Sequence, residues 1–171
     1  MLKKTLTTAI AVMSFARYTM AVNYTIPYTH MWADEYGVSH VAHCLLTNLQ
    51  IELLSSGDSP QYLDDLGSTN ATTIYTVQPA GWSASWHKNP KVQWIIPLQG
   101  EWWIRMTDGN TATMGPGQVA LGEDQYAKTI SSGPYAGAMG HEASNCHNAS
   151  VSLMIIQTSW TPTVGQPCHV K

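Results

Sequence analysis

The sequence predicts an all-β barrel or sandwich, and three observations carry that expectation. Short segments rich in β-branched and aromatic residues recur along the chain, separated by clusters of Gly, Pro, Asn and Asp. Beyond the first 21 residues, no apolar stripe holds a helical period for more than two turns. The length of 171 residues fits one domain with one substantial core. Internal repeats, heptads and low-complexity tracts are absent.

Taken in order, residues 1–21 read as a signal peptide. Met1-Leu2-Lys3-Lys4 is a basic start, Thr5 to Ala16 is mildly apolar, and small residues offer cleavage after Ala16 or Ala21. An amphipathic terminal helix is the alternative. The run is too short and too rich in Thr to span a bilayer, which takes roughly 20 apolar residues, and no later segment approaches that length. Residues 22–70 form an N-terminal extension with the first strands. Residues 22–37 look irregular, Gly37 to Leu46 starts the first strand, Leu49 to Leu54 alternates as a second, and Ser55 to Asn70 is rich in turn residues.

Residues 71–160 contain the clearest pattern. Strands are expected over Ala71 to Val77, Val92 to Leu98, Glu101 to Met106, Thr111 to Met114, Gln118 to Leu121 and Val151 to Thr158. Asp108-Gly109 signals a hairpin with a type I′ turn, and Gly115-Pro116-Gly117 a tight turn. Residues 161–171 are a C-terminal tail.

Composition narrows the function classes. Net charge is −3, only 11% of residues are charged, and the eight Lys and Arg are scattered, so no basic patch for nucleic acid is present. Seven Trp and eight Tyr against one Phe favour rings with a polar handle, suited to barrel walls and pockets. Of these, Trp82, Trp86, Trp94, Trp102 and Trp103 are expected on one or both barrel faces. Sequons at Asn23, Asn70 and Asn148 agree with export, and so does the start of the chain. Cys44, Cys146 and Cys168 allow one disulfide. A Cys146–Cys168 bridge tying down the tail is the expected pairing, with three buried thiols as the alternative.

The chemistry-bearing residues lie at fixed intervals. Gly81 is followed after five residues by His87, then Asn89, then after three residues Gln93, and after six more Gly100. Residues 87, 89 and 93 share parity, so one continuous strand would project all three from one face into a closing barrel. Further on, Gly117 precedes Glu123-Asp124, and His141 is followed by Asn145. The Glu123-Asp124 pair offers a general base, and a turn explains it equally well. His40, His43 and Cys44 have tempting spacing but no second cluster, and read as strand residues. Elbow, phosphate-loop and dinucleotide motifs are absent.

These intervals resemble the two motifs of the cupin superfamily, over about residues 75–158. The first motif matches in every interval, with Asn89 where the family has a second His and Gln93 where it has Glu. The second matches at Gly117 and at the His141–Asn145 ending, with a longer loop across 125–140. The chain also resembles small cupins that carry, in order, Trp86-His87, Gln93-Trp94, Pro116-Gly117 and Leu121-Gly122-Glu123-Asp124. The likeness to germins is architectural only.

The resemblance implies a cupin-type double-stranded β-helix, or jelly-roll barrel. It further implies a divalent metal (Fe, Mn, Ni, Cu or Zn) at His87, Gln93, His141 and Asn89, with Glu123 and Gln93 as catalytic candidates. The leading expectation is a secreted protein acting on or binding a small organic molecule, as a metal-dependent oxygenase or isomerase with a reduced ligand set. The alternative is a metal-free, non-catalytic extracellular module. An extracellular sugar-binding sandwich is a third reading, from Trp content alone. A homodimer is among the expected assemblies; nucleic acid and, after signal removal, membrane are not expected partners.

Overall fold

The computed structural model describes residues 24–66 and 70–171. Among them the chain is all-β: β1 (Ile26–Ala33), β2 (Ser39–Leu46), β3 (Gln50–Glu52), β4 (Gln61–Leu63), β5 (Thr72–Gln78) and β6 (Ser83–His87) come first. β7 (Gln93–Gln99), β8 (Trp102–Met106), β9 (Thr111–Met114), β10 (Ala120–Glu123), β11 (His141–Asn145) and β12 (Val151–Gln157) complete the set. Residues 1–23, with the expected signal segment and Asn23, lie outside the described part.

A larger sheet runs β2-β1-β10-β7-β12-β5 and a smaller one β6-β11-β8-β9, with β3 and β4 as a separate hairpin. From β5 onward the chain passes repeatedly between the two sheets, which wrap one interior as the expected jelly roll. Inward side chains from both sheets make the core: Met31, Ile95, Val151 and Leu153 face Trp102, Ile104, Met106 and Met114. Each such side chain contributes about 1.5–3 kcal/mol when fully buried.

A second apolar layer lies on the outside of the larger sheet. Tyr28, Cys44, Val92 and Leu121 pack there with Trp94, Trp160, Cys168 and Val170. The C-terminal tail covers that face. It is tied down as expected, but by Cys44–Cys168 and not by Cys146–Cys168; Cys146 is a free thiol. The physical reason is placement. The tail crosses the outer face beside β2, whereas Cys146 follows β11 in the smaller sheet and bonds the Glu101 carbonyl.

The segment expected to be irregular contains β1, the central link between β2 and β10. Six of its eight residues are at least partly shielded, with Tyr28 and His30 on the outer face and Met31 inward. A strand covered on both faces loses the polar–apolar alternation that advertises strands. The Asp108-Gly109 hairpin forms as expected between β8 and β9. Its turn differs from type I′, because Gly109 has φ +89° and Asp108 stays outside the left-handed region.

Candidate functional site

His87 and His141 meet. They are directly opposed residues of β6 and β11, and their ring centroids lie 4.4 Å apart. A register shift between His141 and Ala143 makes this possible: Ala143 opposes Ala84, while His141 opposes His87. Two residues of β11 therefore span three of β6, and the extra residue is a β-bulge. The bulge sets His87 directly opposite the buried His141, while the His87 side chain itself stays exposed. Gly140, at φ +75°, is required beside it, since a Cβ there would collide with the His87 carbonyl.

The expected single strand carrying residues 87, 89 and 93 does not form. β6 ends at His87 in the smaller sheet, Asn89 lies in the turn, and Gln93 opens β7 in the larger sheet. The three still converge, from two sheets. They line a cavity of about 360 Å³ together with His141, Trp82 and Trp102, a size suited to a small organic molecule.

Its polar floor is one connected chain of hydrogen bonds. His141 Nδ1 donates to Asp124 Oδ2 at 2.7 Å; the backbone N–H and the side-chain amide of Asn89 both donate to Asp124 Oδ1 at 2.8 Å. Gln93 Nε2 then donates to Asn89 Oδ1 at 2.8 Å, and Gln157 Nε2 to Gln93 Oε1 at 3.0 Å. Gly122 belongs to the arrangement, since a Cβ would come within 2.6 Å of the Asn89 amide.

Protonation follows from these partners. Burial pushes the Asp124 carboxyl up, but the bond from His141, attraction to it and the two Asn89 bonds outweigh burial, holding it below its ordinary range. An ionised carboxylate only accepts, so His141 carries a proton on Nδ1 and presents Nε2 to the cavity. His87 Nδ1 faces the Ser85 carbonyl at 2.7 Å and must donate. Desolvation, then the proximity of His141, holds His87 below the ordinary histidine range, against the pull of Ser85 and Asp124. Its Nε2 is an open lone pair near neutral pH.

The fit to a metal fails here on donor chemistry. The two imidazoles converge, but both amide oxygens accept hydrogen bonds within the chain of side chains, and the nearest carboxylate is spent on orienting His141. No anionic donor is left for the four-ligand set the resemblance implies.

Glu123, a candidate base, requires correction. It lies on the outer face of β10, 1% exposed, bonded to His30 Nε2 at 2.9 Å, His169 Nε2 at 2.6 Å and the Thr163 N–H at 2.8 Å. Burial raises its carboxyl, and these three bonds more than reverse that. The partner of His141 is its neighbour Asp124, whose side chain the strand's end turns the other way. Sequence reasoning also passed over His30 and His169, which belong to no motif; nothing local marks them. Asn145 is structural, its amide holding the carbonyls of Gln78, Pro79 and Ala149. Of the Trp residues, Trp82 and Trp102 line the cavity, Trp94 lies under the tail beside Trp160, Trp86 meets Tyr135, and Trp103 stacks with Arg105. His40 bridges Asp34 and Asp108 beneath Trp32, a surface brace. Asn70 and Asn148 are exposed.

Fold and site together define a jelly-roll barrel with a carboxylate-backed histidine pair at its cavity. No protein-family model and no curated protein matches the chain. Among solved structures it is similar to the protein YhaK from Escherichia coli (TM-score 0.42, 20% identity, 60% of this chain and 42% of that one). It is also similar to protein NMB1881 from Neisseria meningitidis (TM-score 0.36, 13% identity, 57% and 89%). The chain spans less than half the length of YhaK. At that distance neither likeness speaks to ligand or reaction.

Proposed function

We propose that the chain is a secreted, cupin-like barrel that binds a small organic molecule in the cavity of His87 and His141 and works without metal there. One observation carries the reading: two convergent imidazoles, one backed by a buried carboxylate, face an aromatic-walled cavity while the neighbouring amides are occupied with each other. His87 Nε2 accepts a proton or hydrogen bond from the ligand. His141, held by Asp124, pairs with a second polar group, as a base held by an orienting carboxylate does. Proton transfer of the isomerase type is the chemistry this pair supports; without a reactive ligand it is a binding site. The sequons at Asn70 and Asn148 and the Cys44–Cys168 bond support the secreted assignment.

Tryptophan fluorescence tests it, because Trp82 and Trp102 line the cavity. Screening small carboxylic acids, enols and carbonyl compounds should yield a saturable response in the wild type that His87→Ala and His141→Ala abolish. A response indifferent to both substitutions would sink the reading.

A further inference from the structure

We propose that His30, Glu123 and His169 form a site for a late first-row divalent cation such as zinc, fastening the C-terminal tail to the outer face of the larger sheet. The proposal is independent of the cavity, since β10 presents Glu123 on the opposite face from His87 and His141.

The donor set is what the cavity lacks. Each of the three residues offers one ligand atom, and these atoms lie within 4.8 Å of one another. His30 is 0% and Glu123 1% exposed, while the His169 side chain, at 26%, leaves a route in from solvent. Two imidazoles and one carboxylate suit zinc and its neighbours, and are poor for calcium or magnesium, which take oxygen ligands.

Three separate parts of the chain supply the ligands: β1, β10 and the tail. Cys168, bonded to Cys44, immediately precedes His169, so the disulfide already holds that imidazole near its partners. Thr163 N–H on Glu123 Oε1 fixes the carboxylate and leaves Oε2 for the centre. Such outer partners orient ligands in metal sites.

Without a cation the centre is held by protons. Cys168 N–H donates to His30 Nδ1 at 3.2 Å, so the His30 proton sits on Nε2 and points at Glu123 Oε2; His169 Nε2 bonds the same oxygen. On cation entry the His30 proton moves from Nε2 to Nδ1, and the Cys168 bond, the longest in the cluster, is given up. His169 likewise presents a bare Nε2. Three protein ligands leave a further position for water.

The test is isothermal titration calorimetry of the full, disulfide-intact protein with zinc chloride, in a Cys146→Ser background so that the free thiol does not compete. One equivalent of zinc should bind per chain, with no heat from calcium or magnesium. Glu123→Gln and His169→Ala should each weaken binding by more than about 100-fold, beyond what losing an outer partner costs. His169→Ala alters only a partly exposed tail residue and leaves the disulfide in place, so it reports even where Glu123→Gln folds poorly. The double change His87→Ala with His141→Ala should leave zinc binding intact. Absence of zinc binding, or binding that survives His169→Ala, overturns the proposal; so does binding lost with the cavity pair alone. The cluster would then be a hydrogen-bonded latch.

Discussion

Two buried carboxylates adjacent in sequence, Glu123 and Asp124, serve opposite faces of the same sheet. Asp124 turns inward, orients His141 and caps a chain of amides that ends at Gln157. Glu123 turns outward and gathers His30, His169 and Thr163, tying the tail to β1. Inside, the side chains from His141 to Gln157 are bonded to one another, which leaves the two imidazole Nε2 atoms and the unpartnered Trp102 indole N–H for a ligand. Outside, a carboxylate and two imidazoles converge where the C-terminal tail crosses the sheet. The same residue types make a binding site where space adjoins them and a fastening where chain covers them.

Substitutions separate the two faces, and the inner one should cost most. Asp124→Ala leaves His141 and two Asn89 donors unpaired, with bonds to a carboxylate worth about 1.5–3 kcal/mol each; about 4–5 kcal/mol should be lost, near the upper end for single changes. Chemical denaturation measures it. On the outer face, Cys44→Ser should lose about 2–4 kcal/mol, as expected for opening a long disulfide loop. Cys146→Ser should leave the melting temperature unchanged; the reverse result would restore the Cys146–Cys168 pairing. Glu123→Gln should lose about 2 kcal/mol through its paired imidazoles, with the cavity's ligand response retained.

Acid acts on both regions in sequence. His87 is held below its ordinary value, so the unfolded chain takes up a proton first as pH falls. Stability is full above about pH 6.5 and declines from there toward the lower folded value. Both carboxyls are also depressed, so their contributions are present above about pH 4 and are lost as pH drops through their folded values. Urea denaturation across pH 7 to 3 should show a shallow loss that His87→Ala removes and a steep one that Asp124→Asn reduces. Among the site residues the smallest stability effect is expected for His87→Ala at pH 7, within about 1 kcal/mol for a residue at an open edge, while its ligand response disappears.

Much of this molecule is legible locally. Eight of the expected strands lie within two residues of β2, β3, β5, β7, β8, β9, β10 and β12, because β-branched runs bounded by turn residues need no partner to be recognised. The Gly81-to-Gly100 spacing pointed to His87, Asn89 and Gln93, and its partial continuation to His141. All four line or floor one cavity or its hydrogen-bond chain. What escaped was β1, shielded on both faces, the three-residue β4 within the turn-rich stretch, and β6 and β11, whose five residues each carry little periodicity.

By itself, then, the sequence determined the all-β class, the turns and the pair of histidines, since each follows from side-chain period and backbone preference over a few residues. Tertiary structure alone decided that a bulge sets His87 opposite His141 and that Asp124 rather than Glu123 stands behind His141. It also chose Cys44 for Cys168 and assembled His30, Glu123 and His169. Those outcomes depend on register and on which sheet a segment joins, and both are set only when strands distant along the chain close around one core.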